Sequence, residues 1–195
     1  RQRNIVLVVC GSATSWMLNN VIRDYGGLHG RLTGKIRLLP FTLGECESYY
    51  KNKGFHFSRY EMAIAYMAFG GIPYYMDMVD KEKNLSENID RFFFDNQKIH
   101  QEFKDVYTGL YATSERYIDV VKALGTRFYG MTRAELSKAT GIEGGGTFSK
   151  IIDNLKESGI IREYPRYGKL RVETVYQLCD FFSLFYLHFI HNKNT

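Results

Sequence analysis

The amino-acid sequence predicts a mainly α-helical chain in three parts. An incomplete α/β segment spans residues 1–53, an all-α bundle spans 54–125, and two helices with a β-hairpin occupy 126–195. Three observations predict this order. Two apolar runs near the start indicate buried strands, and short amphipathic segments between capping residues and glycines fill the middle. The last part combines two helix starts, a glycine-rich turn and two strand-like runs.

The composition excludes several classes of protein. The chain has 195 residues, 45% of them hydrophobic and 24% charged, which is typical of a globular protein. Its longest apolar run is about ten residues, whereas a membrane-spanning helix needs about 20, so no membrane partner is expected. The three cysteines, Cys10, Cys46 and Cys179, form no CxxC pair. We therefore expect no zinc site or disulfide framework, and a reducing, cytoplasmic location.

The first part contains two apolar runs. Residues 4–10 predict a strand that is buried on both faces, typical of the middle of a parallel sheet, and a second strand is predicted over 35–39. A helix is predicted between them, over 14–24. Too few strands are present to complete such a sheet, so we expect the chain to be a piece of a longer protein, cut within an α/β domain.

Two side chains of this part are candidates for ligand binding. Ser12 follows the first strand, at the sheet edge where open α/β sheets bind ligands, although the position also suits a turn or a cap. Arg31 ends a glycine-rich loop. Its planar guanidinium group suits a phosphate, but an exposed loop arginine needs no such role.

The first part ends with a helix to about residue 50, which a capping box at Thr42 opens, and the middle part follows it. A second box at Ser58 opens a helix over 59–69, which Gly70 and Gly71 end, and Pro73 restarts the chain as a helix. Short amphipathic helices continue to about residue 125. These patterns predict a small helical bundle.

The third part follows the plan of a winged helix. Thr132 caps a helix to about residue 140, and Thr147 caps a second one to about residue 157. Strands are predicted over 160–164 and 170–178. Helix, turn, helix and a two-stranded wing in this order predict a winged-helix domain.

The charges of the third part raise the question of DNA binding. Residues 126–171 hold nine basic and five acidic side chains, an electrostatic footprint for nucleic acid. The candidate double-stranded DNA contacts lie on the exposed face of the second helix and on the wing: Thr147, Lys150, Asn154, Arg166 and Lys169. That helix lacks the cluster of Arg, Asn and Gln expected for reading base edges, so packing against a protein partner is an equally open alternative.

Several runs together resemble a known family. Leu7–Met17, Gly26–Arg31 and Leu39–Glu45, followed by Gly70-Gly71-Ile72-Pro73, have the order and spacing of the archaeal-type ATPase family of the AAA+/STAND superfamily, downstream of its Walker B strand. The resemblance implies an α/β remnant of a P-loop AAA+ domain, a helical lid and a winged helix. It also implies an ATP-dependent molecular switch.

The resemblance assigns roles to four residues. It implies that Ser12 senses the γ-phosphate and that Arg31 is a phosphate-facing or inter-subunit arginine. Pro73, backed by Gly71, would contact the adenine. It further implies ATP and Mg²⁺ as ligands of the parent protein, and a C-terminal nuclease-like domain after the winged helix. The last predicted helix is apolar nearly all round, so an uncovered face would promote self-association.

The sequence departs from this family in its phosphate-binding motifs. No GxxxxGK[ST] loop occurs, and no strand ends in an acidic pair that would hold Mg²⁺. We therefore expect these 195 residues to be non-catalytic and to bind no nucleotide by themselves. His188 and His191 lie three apart without an evident third ligand, so no metal site is expected. The alternative functions are a DNA-binding module and a protein-interaction scaffold.

Overall fold

The computed structural model describes residues 6–11, 33–95, 99–111, 113–167 and 173–191. Its helices are α1 (Leu43–Asn52), α2 (Arg59–Phe69), α3 (Pro73–Asp77), α4 (Leu85–Ile89, continued by the π-helical turn Asp90–Phe94), α5 (Ile99–Leu110), α6 (Ser114–Gly125), α7 (Arg133–Thr140), α8 (Gly146–Glu157) and α9 (Phe181–Phe185, continued by the π-helical turn Tyr186–Ile190). Its strands are β1 (Met131–Thr132), β2 (Ile161–Pro165) and β3 (Thr174–Leu178). The described chain is thus mainly helical, as expected.

Capping boxes fix where several of these helices begin. At Thr42, Ser58 and Thr132, the cap hydroxyl accepts a hydrogen bond from the third helical N–H, and the glutamate there accepts one from the cap N–H. Each box satisfies two backbone donors that the first helical turn leaves unpaired. Asn84 forms a further box, which the sequence reasoning did not identify. Helix α8 has Gly145 as its N-cap, so the expectation of a cap at Thr147 is wrong.

The described strands form one antiparallel sheet in the order β1-β3-β2. Met131 pairs with Tyr176, and Ile161 pairs with Leu178. The hairpin of β2 and β3 therefore follows helices α7 and α8, in the order expected from the sequence. The short strand β1 was not predicted, because two residues carry no periodic signal.

One hydrophobic core joins the helical bundle to the part that contains the sheet. Helix α9 leaves strand β3 and returns into the bundle. There Phe182 stacks on Tyr75, with ring centroids 4.9 Å apart, and Tyr186 stacks on Phe103 at 4.3 Å. The hydroxyl groups of Tyr107 and Ser183 form a buried hydrogen bond of 2.6 Å. The two parts are therefore packed as one body.

The expected buried strands of the first part are wrong where the structure describes them. Residues 6–11 and 33–41 have no regular secondary structure, and their apolar side chains are largely exposed: Val6 is 86% exposed and Leu38 is 90% exposed. The physical reason is that a strand needs hydrogen-bonded neighbouring strands, and no strand of the described residues pairs with either segment. The helix expected over 14–24 lies outside the described residues.

Candidate functional site

The candidate site is the turn between helices α2 and α3. The turn begins at Gly70, which has a φ of 65° and ends α2 because only glycine adopts that conformation without strain. Pro73 then occupies the first position of α3, where its lack of an N–H costs no hydrogen bond. The sequence predicted both features.

This turn is docked on Phe41. The Phe41 N–H donates a hydrogen bond of 2.7 Å to the carbonyl oxygen of Gly71. A Cβ atom added to Gly71 would lie 2.0 Å from the carbonyl oxygen of Phe41, so this position requires glycine for close approach of two backbones. The φ of Gly71 does not lie in the left-handed region. The sequence reasoning singled out Gly71 but did not identify Phe41 as its partner, because the pairing is not local.

Pro73 presents its ring to solvent beside this junction. It is exposed, as is the next residue, Tyr74, with 58% of its surface accessible. A rigid apolar ring at a helix start can lie against a flat ligand without needing a hydrogen-bond partner. The turn can therefore supply an apolar contact, but not a charge.

The nearest described charges on α3 are already paired. Asp77, at the last position of that helix, accepts hydrogen bonds from the hydroxyl group of Tyr49 and from the ammonium group of Lys53. These bonds lower the pKa of Asp77 and raise that of Lys53. The Lys53 ammonium also lies 4.8 Å from the centre of the Tyr49 ring. This cluster fixes α3 to α1.

Three further residues that the sequence singled out cannot be placed relative to this turn. Ser12 and Arg31 are outside the described residues, as is Lys169 of the expected DNA face. Of that set, the structure describes Gly71 and Pro73, which lie in the same turn. Among the residues that it describes, no three His, Cys, Asp or Glu side chains are grouped to hold a metal ion. The ring of His188 instead stacks on Phe128, with centroids 4.2 Å apart.

Helix α8 does not present its residues as expected. Thr147 and Lys150 are exposed, but Asn154 is buried, so its predicted place on the exposed face is wrong. Its side-chain amide donates a 2.7 Å hydrogen bond to the hydroxyl group of Tyr117 on α6. Tyr117, 37 residues away in the sequence, thus satisfies the Asn154 amide inside the core. No local sequence pattern could indicate this contact.

The basic side chains around α8 are interleaved with acidic groups. Lys156 pairs with Glu163 at 2.7 Å, and Arg166 of the expected DNA face pairs with Glu173 at 3.0 Å. The hydrogen bond to Glu163 raises the pKa of Lys156. A shallow depression of about 460 Å³ on α8 is lined by side chains of both signs, among them Lys150 and Asp153. This mixed surface differs from the continuous basic patch that a polyanion favours.

Comparison of the chain with known proteins found no relative. Neither the family models, nor the curated proteins, nor the solved structures with which the chain was compared match it. In the described part of the chain, no helix has both the length and the apolar composition needed to cross a membrane.

Proposed function

We propose that this chain is the lid and winged-helix part of an ATP-dependent molecular switch, similar to the archaeal-type ATPases of the AAA+/STAND superfamily. One observation carries the proposal. The Gly71–Pro73 turn is held by backbone contact against Phe41, directly after the apolar segment 33–40, and the Pro73 ring is exposed beside this contact. The turn thus lies at the point where the segment 33–40 leads into helix α1.

The proposed role of Pro73 is to abut the adenine ring. Its five-membered ring has a fixed φ and no N–H, so it offers a rigid apolar surface whose shape changes little on binding. The phosphates and Mg²⁺ would be bound by a P-loop core encoded outside these 195 residues. Ser12 and Arg31 remain the candidates for sensing the phosphates.

Movement of the turn would be passed to the winged helix through the shared core. Helix α3 follows the turn, and its Tyr75 stacks on Phe182 of α9 with centroids 4.9 Å apart. Helix α9 in turn continues strand β3 of the wing. Since close-packed interiors transmit displacement instead of absorbing it, the lid and the winged helix would move together.

The DNA-binding alternative receives less support. Arg166, a basic residue expected to contact phosphates, is paired with Glu173, and the neighbouring Lys156 of α8 is paired with Glu163. Asn154, a candidate base contact, is buried. An approaching duplex would meet acidic groups at the same places, which reduces the favourable release of counterions.

The test begins with the coding DNA upstream of Arg1. The proposal expects a GxxxxGK[ST] loop there and a full-length product that binds ATP. The Pro73→Ala variant of that product should bind ATP about tenfold more weakly, because about two methylene groups lose their contact at about 0.8 kcal/mol each. Binding of inorganic triphosphate should not change, because it lacks the base.

Pro165→Ala provides the matched control, since Pro165 lies in β2 of the hairpin. It should leave ATP binding unchanged. A full-length product that binds no ATP refutes the proposed function. Equal affinities of the Pro73→Ala and Pro165→Ala variants refute the adenine contact.

A further inference from the structure

The C-terminal turn of α8, residues 154–158, is contacted from two distant parts of the chain. The first contact comes from the segment 33–41, which precedes α1 and has no regular secondary structure. There the guanidinium Nη2 of Arg37 donates a 2.6 Å hydrogen bond to the carbonyl oxygen of Glu157, 120 residues away. The last carbonyl groups of a helix have no partner within it, and they carry the negative end of the helix dipole. A guanidinium group is therefore a suitable partner for this end.

The second contact comes from the bundle. The Asn154 amide donates to the hydroxyl group of Tyr117 at 2.7 Å, and the Tyr111 hydroxyl donates to the Ser158 hydroxyl oxygen at 2.8 Å. The two tyrosine rings are stacked, with centroids 3.8 Å apart and planes 5° from parallel. This contact is buried, whereas the Arg37 contact is exposed. The buried contact fixes α8 to the bundle, so the exposed one is the contact that can open.

Arg37 is also close in sequence to the candidate site. Only three residues separate it from Phe41, whose N–H is bonded to Gly71, so the two Cα atoms are four steps apart along the chain. Four extended residues span at most about 14 Å. Since the chain between the two anchors is this short, we expect a displacement of the turn by a few ångströms to reach the Arg37 contact.

We propose that Arg37 is a latch between the segment 33–41 and the C-terminal turn of α8, released when the Gly71–Pro73 turn moves. The latch itself stands on the contacts above. Its release by nucleotide rests on the proposed function. The segment 33–41 thus connects two contacts: Phe41 is bonded to the Gly71–Pro73 turn, and Arg37 is bonded to α8 of the winged helix.

The first experiment tests the latch in the 195-residue chain by hydrogen–deuterium exchange. Arg37→Ala should accelerate exchange of the amides over residues 157–160 about two- to tenfold, the effect of losing one ordinary hydrogen bond, because this contact is exposed to solvent. Lys35→Ala removes the same charge two residues away and should leave these amides unchanged. Equal exchange in the two variants overturns the latch.

The second experiment tests release in the full-length product. Addition of a non-hydrolysable ATP analogue should accelerate exchange over 157–160 in the native protein. It should produce no further change in Arg37→Ala, where the latch is already open. If the analogue binds without changing this exchange, release is refuted while the proposed function survives. If the analogue does not bind, the proposed function and the release by nucleotide are both refuted, and the latch itself is tested by the first experiment.

Discussion

Replacing Gly71 by alanine is the sharpest test of the junction between the Gly71–Pro73 turn and Phe41. The added Cβ would lie 2.0 Å from the Phe41 carbonyl oxygen and 2.6 Å from its nitrogen. Both neighbours are backbone atoms, so neither can move aside by changing a rotamer. The turn and residue 41 must separate, and their 2.7 Å hydrogen bond must lengthen or break.

The expected cost follows from two contributions. Forcing extra volume into a packed site costs about 1–3 kcal/mol, and a lost backbone hydrogen bond costs about 1 kcal/mol more. A Gly→Ala change also restricts the unfolded chain, which returns about 0.4–1 kcal/mol where the native φ is compatible. Gly71 has such a φ, since it is not among the glycines with positive values. The net expectation is a loss of about 2–3 kcal/mol in the free energy of unfolding.

Urea denaturation followed by circular dichroism measures this loss. Gly109→Ala is the matched control, because Gly109 lies within α5 and a Cβ there meets no atom within 4 Å. It should leave the free energy of unfolding unchanged or raise it by up to about 0.5–1 kcal/mol, because alanine is favoured over glycine in a helix and Gly109 is near the end of α5. If Gly71→Ala is as stable as Gly109→Ala, the close approach described for Gly71 is wrong, and with it the docking of the turn on residue 41.

Two further predictions concern buried and titrating groups. Tyr50→Phe should leave the free energy of unfolding unchanged or raise it by up to about 1 kcal/mol, because the buried Tyr50 hydroxyl has no partner among the described residues. Tyr107→Phe should lower it by about 1–3 kcal/mol, because the Ser183 hydroxyl loses its buried partner. Thermal unfolding of the two variants measures this difference. Burial lowers the pKa of His191, so its stabilising contribution is present above the unfolded-state value of about 6.5 and is lost as the pH falls through the lower folded-state value. The melting temperature should therefore drop less between pH 7.5 and pH 5 in His191→Gln than in the native chain. His56→Gln, a change at an exposed histidine that keeps His191, is the control. An equally large drop in the two variants contradicts the prediction.

The helices could be predicted because their signals are local. A capping box joins residues three apart, so the sequence at Ser58 already contains both partners of the interaction that starts α2. The end of α2 is equally local, since Gly70 supplies the required φ by itself. The docking of Phe41 on Gly71 joins residues distant in sequence, and no spacing rule reveals it.

The misplaced polar residue has the same explanation. A helical wheel places Asn154 near the edge of the apolar face of α8, and an amide without a known partner belongs outside by default. Tyr117 reverses that preference, because its hydroxyl satisfies the amide inside the core. The cost of burying a polar group thus depends on a contact that only the fold creates.

The apolar segment 33–40 links the two proposals physically. Ile36 and Leu38 are 89% and 90% exposed, and each forgoes about 1.5–3 kcal/mol that burial would supply. Between them lies Arg37, whose guanidinium group is bonded back to α8 and so needs no other partner. A covering sheet could therefore bury Ile36 and Leu38 without stranding the intervening charge. The closed latch is thus compatible with the proposed nucleotide-binding core, because Arg37 keeps its partner on α8 while Ile36 and Leu38 are covered.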